Sequence, residues 1–448
     1  MLRKRRGLAG ALAVALAMGS VIFGGGFAAA SEFRCSEPTG RQFERAAPEQ
    51  TGLDSERLAG ALNFAASRNR LNVQVFRHNC LIGEGPTNAE TGTTPWNVWS
   101  VTKSIVSLVA GIAWDRGLLD LGAPIDTYLP AGLGDPEHRS ITVENLLTES
   151  SGLRVGVLTE GITGVIPVDP FSAVQALGVP FDDPPGTAFQ YSQRNVDLLS
   201  YVIELAVGEP LQQFAQRELF DRIGIQRGDY YWARDRSGHT YGYAHLTIPP
   251  DDLSRLGMLV ANNGRWGEEQ VVSAGYLRRA TTASEHNSCY GYLFWLGPDC
   301  AENPDYLPAD VFAMSGLGQQ NVYVIPSLDL MVMWTGVYGV HTGKGVTGIL
   351  QYGVEPAYQF FRLLMDAFHD RPMPDPGQFV EPALSFDASK YYSTDLALAV
   401  FGIGPAAYPG CTVLSCLDLR LAAPFTDAPP GCVLVACVGP DPRTPGIR

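Results

Sequence analysis

Apolar residues recur three and four apart through Leu58, Leu62 and Ala65, which predicts an amphipathic helix over Ser55–Asn69. Asn72–Arg77 alternates with a period of two, and Cys80–Gly83 follows as its hairpin partner. A loop containing Gly92 and Pro95 leads to a second helix, Thr102–Asp115, whose Ile105, Leu108, Val109 and Ile112 share one buried face. From about residue 126 to 270 the pattern is mainly helical. Thr142–Thr148 opens on a Thr-x-x-Asn cap. Asn195–Ala206 and Leu211–Ile223 are divided by Gly208-Glu209-Pro210, and Asp251–Asn263 starts behind Pro249-Pro250. Short runs rich in β-branched and aromatic residues then predict strands at Tyr290–Trp295, Val311–Met314, Asn321–Ile325 and Asp329–Trp334, before a closing helix Glu355–Phe368. Strands at both ends with helices between them predict an α/β fold: an antiparallel sheet assembled from the two chain ends, flanked by helices, with a helical part inserted.

Composition sets the compartment rather than the fold. Hydrophobic residues make up 46% of the 448 and charged residues 17%, an ordinary globular balance. The N-terminus carries Arg3, Lys4, Arg5 and Arg6, then an apolar run Leu8–Phe27, then Ala28-Ala29-Ala30 before Ser31. This is the pattern of a signal peptide over residues 1–30. A retained anchor is the alternative, since the run is nearly long enough to span a bilayer. The expected division is therefore 1–30 for targeting, 31–370 for the body and 371–448 for an extension. Within the body, about 31–125 and 271–370 form the α/β part and about 126–270 the helical part.

Loss of the four basic residues would take the net charge from −14 to −18, which excludes nucleic acid and anionic membrane surfaces as natural partners. An even count of eight cysteines in an exported chain reads as disulfides. Sequence proximity suggests Cys289–Cys300, Cys411–Cys416 and Cys432–Cys437, leaving Cys35–Cys80, although eight cysteines allow about 105 pairings. Neither a CxxC pair nor an HExxH run occurs, so no metal or cofactor is expected. The expected location is secreted or cell-envelope, without stable membrane insertion once the signal is cleaved. The extension is rich in proline and glycine and repeats a CxxxxC segment. It could brace the α/β part or mediate attachment, and it shows no chemistry.

Candidate chemistry centres on Ser100-Val101-Thr102-Lys103. At a helix start, residues three apart share a face, so the lysine amine can reach the serine hydroxyl. A serine needs such a base to become a nucleophile, and the helix N-terminus favours developing negative charge. The chain has only four lysines, Lys4, Lys103, Lys344 and Lys390, and Lys103 stands on an apolar helix where an unpaired ammonium is costly. In PPGTAFQYSQ, residues 184–193, a Pro-Pro-Gly turn delivers Tyr191 just before a helix. There it could act as general acid or base, or simply pack. VFAMSGLGQQNVYVIP, residues 311–326, reads as strand, turn, strand, and its edge could donate a backbone N–H to an oxyanion. His245 could line a substrate cleft or belong to the core.

These stretches resemble the class C β-lactamase-related serine hydrolases, in the branch that includes esterases and 6-aminohexanoate-dimer hydrolase. The resemblance runs in order through NVWSVTKSIVSLVAG (97–111), TVENLLTESSGL (142–153), PPGTAFQYSQRNVDLLSYVIE (184–204), PPDDLSRLGMLVANNGRW (249–266), YGYLFWL (290–296) and SGLGQQNVYVIPSLDLMVMW (315–334). It implies a β-lactamase/transpeptidase-like fold. It also implies Ser100 as acylated nucleophile, Lys103 as its proton partner and Tyr191 as proton shuttle. The oxyanion donors would be backbone N–H groups of Ser100 and of Met314 or a neighbour. The family's Tyr-x-Asn is here Tyr191-Ser192-Gln193. Its Lys-Thr-Gly strand is here Phe312-Ala313-Met314-Ser315-Gly316, without a cation; His341-Thr342-Gly343 stands later, in an expected loop. The implied substrate is a small-molecule ester or amide. A D-amino-acid peptidase or β-lactamase, and an exported binding protein without catalysis, are the alternatives.

Overall fold

The computed structural model describes residues 33–166, 168–301, 303–336, 354–380 and 388–423. The expected signal segment, the Cys432–Cys437 pair and His341-Thr342-Gly343 lie outside the described residues. The first elements are α1 (Ser55–Ser67), β1 (Asn72–Arg77), β2 (Cys80–Glu84), α2 (Asn88–Thr91), β3 (Trp96–Asn97) and α3 (Val101–Asp115). Then come α4 (Pro136–Arg139), α5 (Val143–Leu147), α6 (Val157–Val165), α7 (Ser172–Ala176), α8 (Gln193–Val207) and α9 (Leu211–Ala215). The chain continues through β4 (Tyr231–Trp232), β5 (Leu246–Ile248), α10 (Pro250–Ala261), β6 (Arg265–Trp266), β7 (Glu269–Gln270) and α11 (Ala274–Ala280). It ends with β8 (Trp295–Leu296), β9 (Phe312–Gly316), β10 (Gln320–Ile325), β11 (Leu330–Thr335), α12 (Val354–Asp366), α13 (Ala388–Tyr391) and α14 (Thr394–Ala399).

The central antiparallel sheet runs β2-β1-β11-β10-β9-β8, so strands from both ends of the chain meet at β1 and β11, with Val75 opposite Val332. Both faces are covered, and the period of two sorts the side chains. Val322, Val324, Met331 and Met333 join the core that holds α3 and α10. Tyr323, Ile325, Val332 and Trp334 join the core built with Leu58 and Leu62 of α1 and Phe360 and Phe361 of α12. This is the α/β fold expected from the sequence.

Three expectations change. Asp251–Asn263, placed with the helical part, is α10 and packs on the sheet: a Cβ on Gly257 would come 2.8 Å from Val322, and Ser254 donates to Gln74 of β1 at 2.5 Å. The expected strand Tyr290–Trp295 is extended only at Trp295–Leu296. Leu293 has φ 61° and its N–H donates to the Leu147 carbonyl, so a tertiary contact turns the backbone away from strand geometry. Leu211–Ile223 is not one helix but α9 followed by a π turn and a 3-10 turn.

Cys35–Cys80, Cys289–Cys300 and Cys411–Cys416 are bonded. The extension touches both parts: residues 371–380 pack against α12, with Asp375 on Arg362 at 2.7 Å and Phe379 against Tyr358, and residues 388–423 dock on the helical part. Tyr408 Oη accepts from Gly134 N–H at 3.0 Å, Arg236 donates to the Ala422 carbonyl at 2.7 Å, and Leu396, Val400, Ala406, Cys411 and Cys416 are buried. Among the described residues no helix is long and apolar enough to cross a membrane.

Candidate active site

The turn from β3 into α3 creates the nucleophile position. Trp99 has φ 48°, a left-handed conformation that costs about 1–3 kcal/mol in a bulky residue and is retained where the surroundings enforce it. Here Asn97 Oδ1 accepts from the Trp99 N–H at 2.9 Å and β3 is tied to β5. Ser100 follows at the mouth of α3 and lines a cavity of about 960 Å³. Tyr191, Gln193, Ser315 and Gly316 line the same cavity.

Lys103 lies one turn along α3 and is buried. Its Nζ is 3.4 Å from Ser100 Oγ and donates to Gln193 Oε1 at 2.5 Å and to the Tyr243 carbonyl at 3.2 Å. It stands 4.5 Å from the centre of the Tyr191 ring and 5.5 Å from that of Tyr243. Burial lowers its pKa from 10.5 to about 8, against the opposing charges of Glu149, Asp197 and Glu160. The amine therefore holds its proton far less firmly than an exposed lysine, and about a tenth of it is free base at pH 7.

Gln193 is held from below. Ser192 caps α8, and the first N–H groups of this helix bind two buried carboxylates: Ser192 N–H donates to Glu149 at 3.1 Å and Gln193 N–H to Glu160 at 2.6 Å. Burial raises the pKa of both acids. The next residue, Arg194, is also buried and pairs with Asp169 at 2.7 Å. Asp197, one turn on, accepts the Gly242 N–H at 2.9 Å and so ties the segment carrying Tyr243 to α8.

Tyr191 stands in an aromatic wall, its ring 5.7 Å from Trp295 and 6.2 Å from Tyr290. On the opposite side, Gly316 allows β9 to press against the segment before the nucleophile, since a Cβ there would lie 2.2 Å from the Val98 carbonyl oxygen. The Gly316 N–H is taken by Asn321 Oδ1 at 3.3 Å, whereas Ser315 Oγ has no hydrogen-bond partner among the described residues. Buried Arg70 donates to the Gly318 and Gln319 carbonyls at 2.8 and 2.7 Å and pins the turn that follows.

The side chains of two predicted positions stand away from the cavity. Met314 points into the core and does not line the cavity; its neighbours Ser315, Gly316 and Leu317 do. His245 is buried behind the cavity wall rather than in it, 3.1 Å from Tyr243 Oη and edge-on to Trp99. Burial, with the nearby Lys103 charge, lowers its pKa to about 4, which keeps it neutral.

Sequence reasoning missed the role of Tyr243, although Tyr-Gly-Tyr-Ala was visible beside His245. Its carbonyl accepts from Lys103, and its ring needs Gly164 of α6, where a Cβ would fall 1.9 Å from Tyr243 Oη. It also missed the extension: Ser389, Lys390, Tyr391, Tyr392 and Ser393 line the cavity.

An antiparallel sheet with a helical part, and a serine and buried lysine one turn apart between them, define the β-lactamase and penicillin-binding-protein class of fold. The beta-lactamase family model matches residues 67–339, more than half of the chain, and the chain belongs to that family. Esterase EstB of Burkholderia gladioli is 31% identical over 194 residues, covering 39% of this chain and 47% of that protein. The 6-aminohexanoate-dimer hydrolase of Paenarthrobacter ureafaciens is 23% identical over 190 residues, covering 40% and 48%. The chain spans about half the length of the curated relatives it matches. The octameric penicillin-binding protein homologue from Pyrococcus abyssi shares the fold, with a TM-score of 0.53 at 19% identity over 72% of this chain and 80% of that one.

Proposed function

We propose that the protein is an exported serine hydrolase that cleaves a small-molecule ester or amide through an acyl-enzyme on Ser100. The observation that carries this reading is the buried Lys103 amine, 3.4 Å from Ser100 Oγ with a pKa of about 8. Free Lys103 takes the Ser100 proton as Oγ attacks the carbonyl carbon. The oxyanion is met by the N–H groups of Ser100 and Leu317. Among the neighbours of Met314, Leu317 is the proposed second donor, because it lines the cavity and directly follows Gly316. The proton passes by way of Tyr191 to the departing alkoxide or amine, and water then releases the acid by the reverse sequence. Three disulfides are compatible with export.

The absence of a cation at Met314 favours substrates without a carboxylate, and so weighs against a β-lactamase or D-amino-acid peptidase. Two other cations reach the cavity: Arg154, which Asp182 and Asp395 engage at 2.9 Å, and Lys390 of the extension. A fluorophosphonate probe should label Ser100, as read by peptide mass mapping, and fail to label it in Lys103→Ala. Folded wild-type protein that takes no label would overturn the reading in favour of a silent binding protein.

A further inference from the structure

We infer that the C-terminal segment Ser389–Ser393 is a specificity-determining wall of the Ser100 pocket, and that the substrate presents a bulky apolar group to it. This inference rests on the hydrolase reading above. The segment lies beyond residues 67–339, so the wall is an addition of this chain to the span that the family model matches. Tyr391 and Tyr392 line the same cavity as Ser100, together with Val157, Leu158, Ile162 and Val165 of α6 and the aromatic wall of Tyr191 and Trp295.

The wall is fastened rather than loosely placed. Ser393 N–H donates to Thr159 Oγ1 of α6 at 3.1 Å, and Arg154 binds Asp395 at 2.9 Å. Gly156 lies directly under Ser393, where even a Cβ would come 3.0 Å from the Ser393 Cβ, and Leu396 is buried beside it. These contacts hold the tyrosines at the cavity while leaving Tyr392 and Ile162 half exposed, at 55% and 50%. Apolar side chains open to water inside a concave site gain most from an apolar ligand. The volume of about 960 Å³ also far exceeds what an acetyl group fills. The charge of Arg154 is more than offset by Asp182 and Asp395, and the one cation within the segment itself is the exposed Lys390.

The test uses the full chain and two ester series, one lengthening the acyl group of p-nitrophenyl esters from acetate to decanoate, the other lengthening the alcohol of acetate esters. Tyr391→Ala and Tyr392→Ala should lose about tenfold or more in kcat/KM for the long members of one series, with acetate or methyl ester changed less than about twofold. Asp395→Ala, which releases the fastening without touching the cavity aromatics, should give the same length-dependent signature in weaker form. Equal loss at every length, or no loss, overturns the wall. Labelling of Ser100 by a small ethyl fluorophosphonate runs alongside. If wild type takes no label, the hydrolase reading falls and the wall with it. If every variant labels and the length profile does not move, the wall alone falls.

Discussion

Gln193 Oε1 accepts a hydrogen bond from Lys103 Nζ at 2.5 Å, shorter than the contacts of this amine with the Tyr243 carbonyl and Ser100 Oγ. The position follows Tyr191 as the amide of a Tyr-x-Asn pattern would, with one extra methylene. That length is taken up because Glu160 fixes the Gln193 backbone at the start of α8, leaving the side chain to reach inward. The contact aims the amine at Ser100, since a lysine has four rotatable bonds and burial alone does not choose among its rotamers. Gln193→Ala should therefore lower kcat/KM on p-nitrophenyl acetate by about 10- to 100-fold, the worth of one hydrogen bond to a charged or partly charged group. Gln193→Asn should fall between the two. An unchanged rate in the alanine variant would remove Gln193 from the mechanism.

The pH profile should show an acid limb set by a single group. Lys103 works as a free base, so activity rises as it loses its proton and levels off above its pKa of about 8. Below that value each pH unit should cost about tenfold in kcat/KM, because the protonated amine cannot accept the Ser100 proton. A profile flat between pH 6 and 9 would assign the base elsewhere.

Gly316→Ala should uncouple β9 from the nucleophile. The added Cβ meets a backbone oxygen, that of Val98 at 2.2 Å, and a main chain yields less easily than a flexible side chain. A shift approaching 1 Å at the oxyanion donors costs about a hundredfold in rate. The expected readout is Ser100 labelling slowed by about that factor with the far-ultraviolet circular dichroism unchanged.

Arg194→Met should destabilise the protein by about 3–5 kcal/mol, because it leaves the buried Asp169 carboxylate without its partner at 2.7 Å. Adding Asp169→Leu should recover a large part of that loss. Denaturant midpoints for both variants check this. A single variant as stable as wild type would mean that the Tyr241 hydroxyl, which donates to Asp169 at 3.1 Å, suffices for this carboxylate.

What the sequence determined by itself was local. Ser100 and Lys103 are three residues apart on a helix whose apolar spacing is plain, so their shared face follows from helix geometry. The hairpin β1–β2 and the close pairs Cys289–Cys300 and Cys411–Cys416 were legible for the same reason. Ordered motifs extended that reading to Tyr191 and the β9–β10 strands. Tertiary structure decided whatever depends on residues far apart in the chain. Lys103 has its pKa lowered to about 8 because the fold buries it, among partners such as Tyr243 and Gln193 that come from 140 and 90 residues away. Met314 is buried while Ser315, Gly316 and Leu317 reach the cavity, a division set by where the end of β9 meets the segment before Ser100. The extension forms part of the pocket because Asp395 meets Arg154 across 241 residues. Burial and long-range pairing set those positions, and neither has a period that a linear pattern can display.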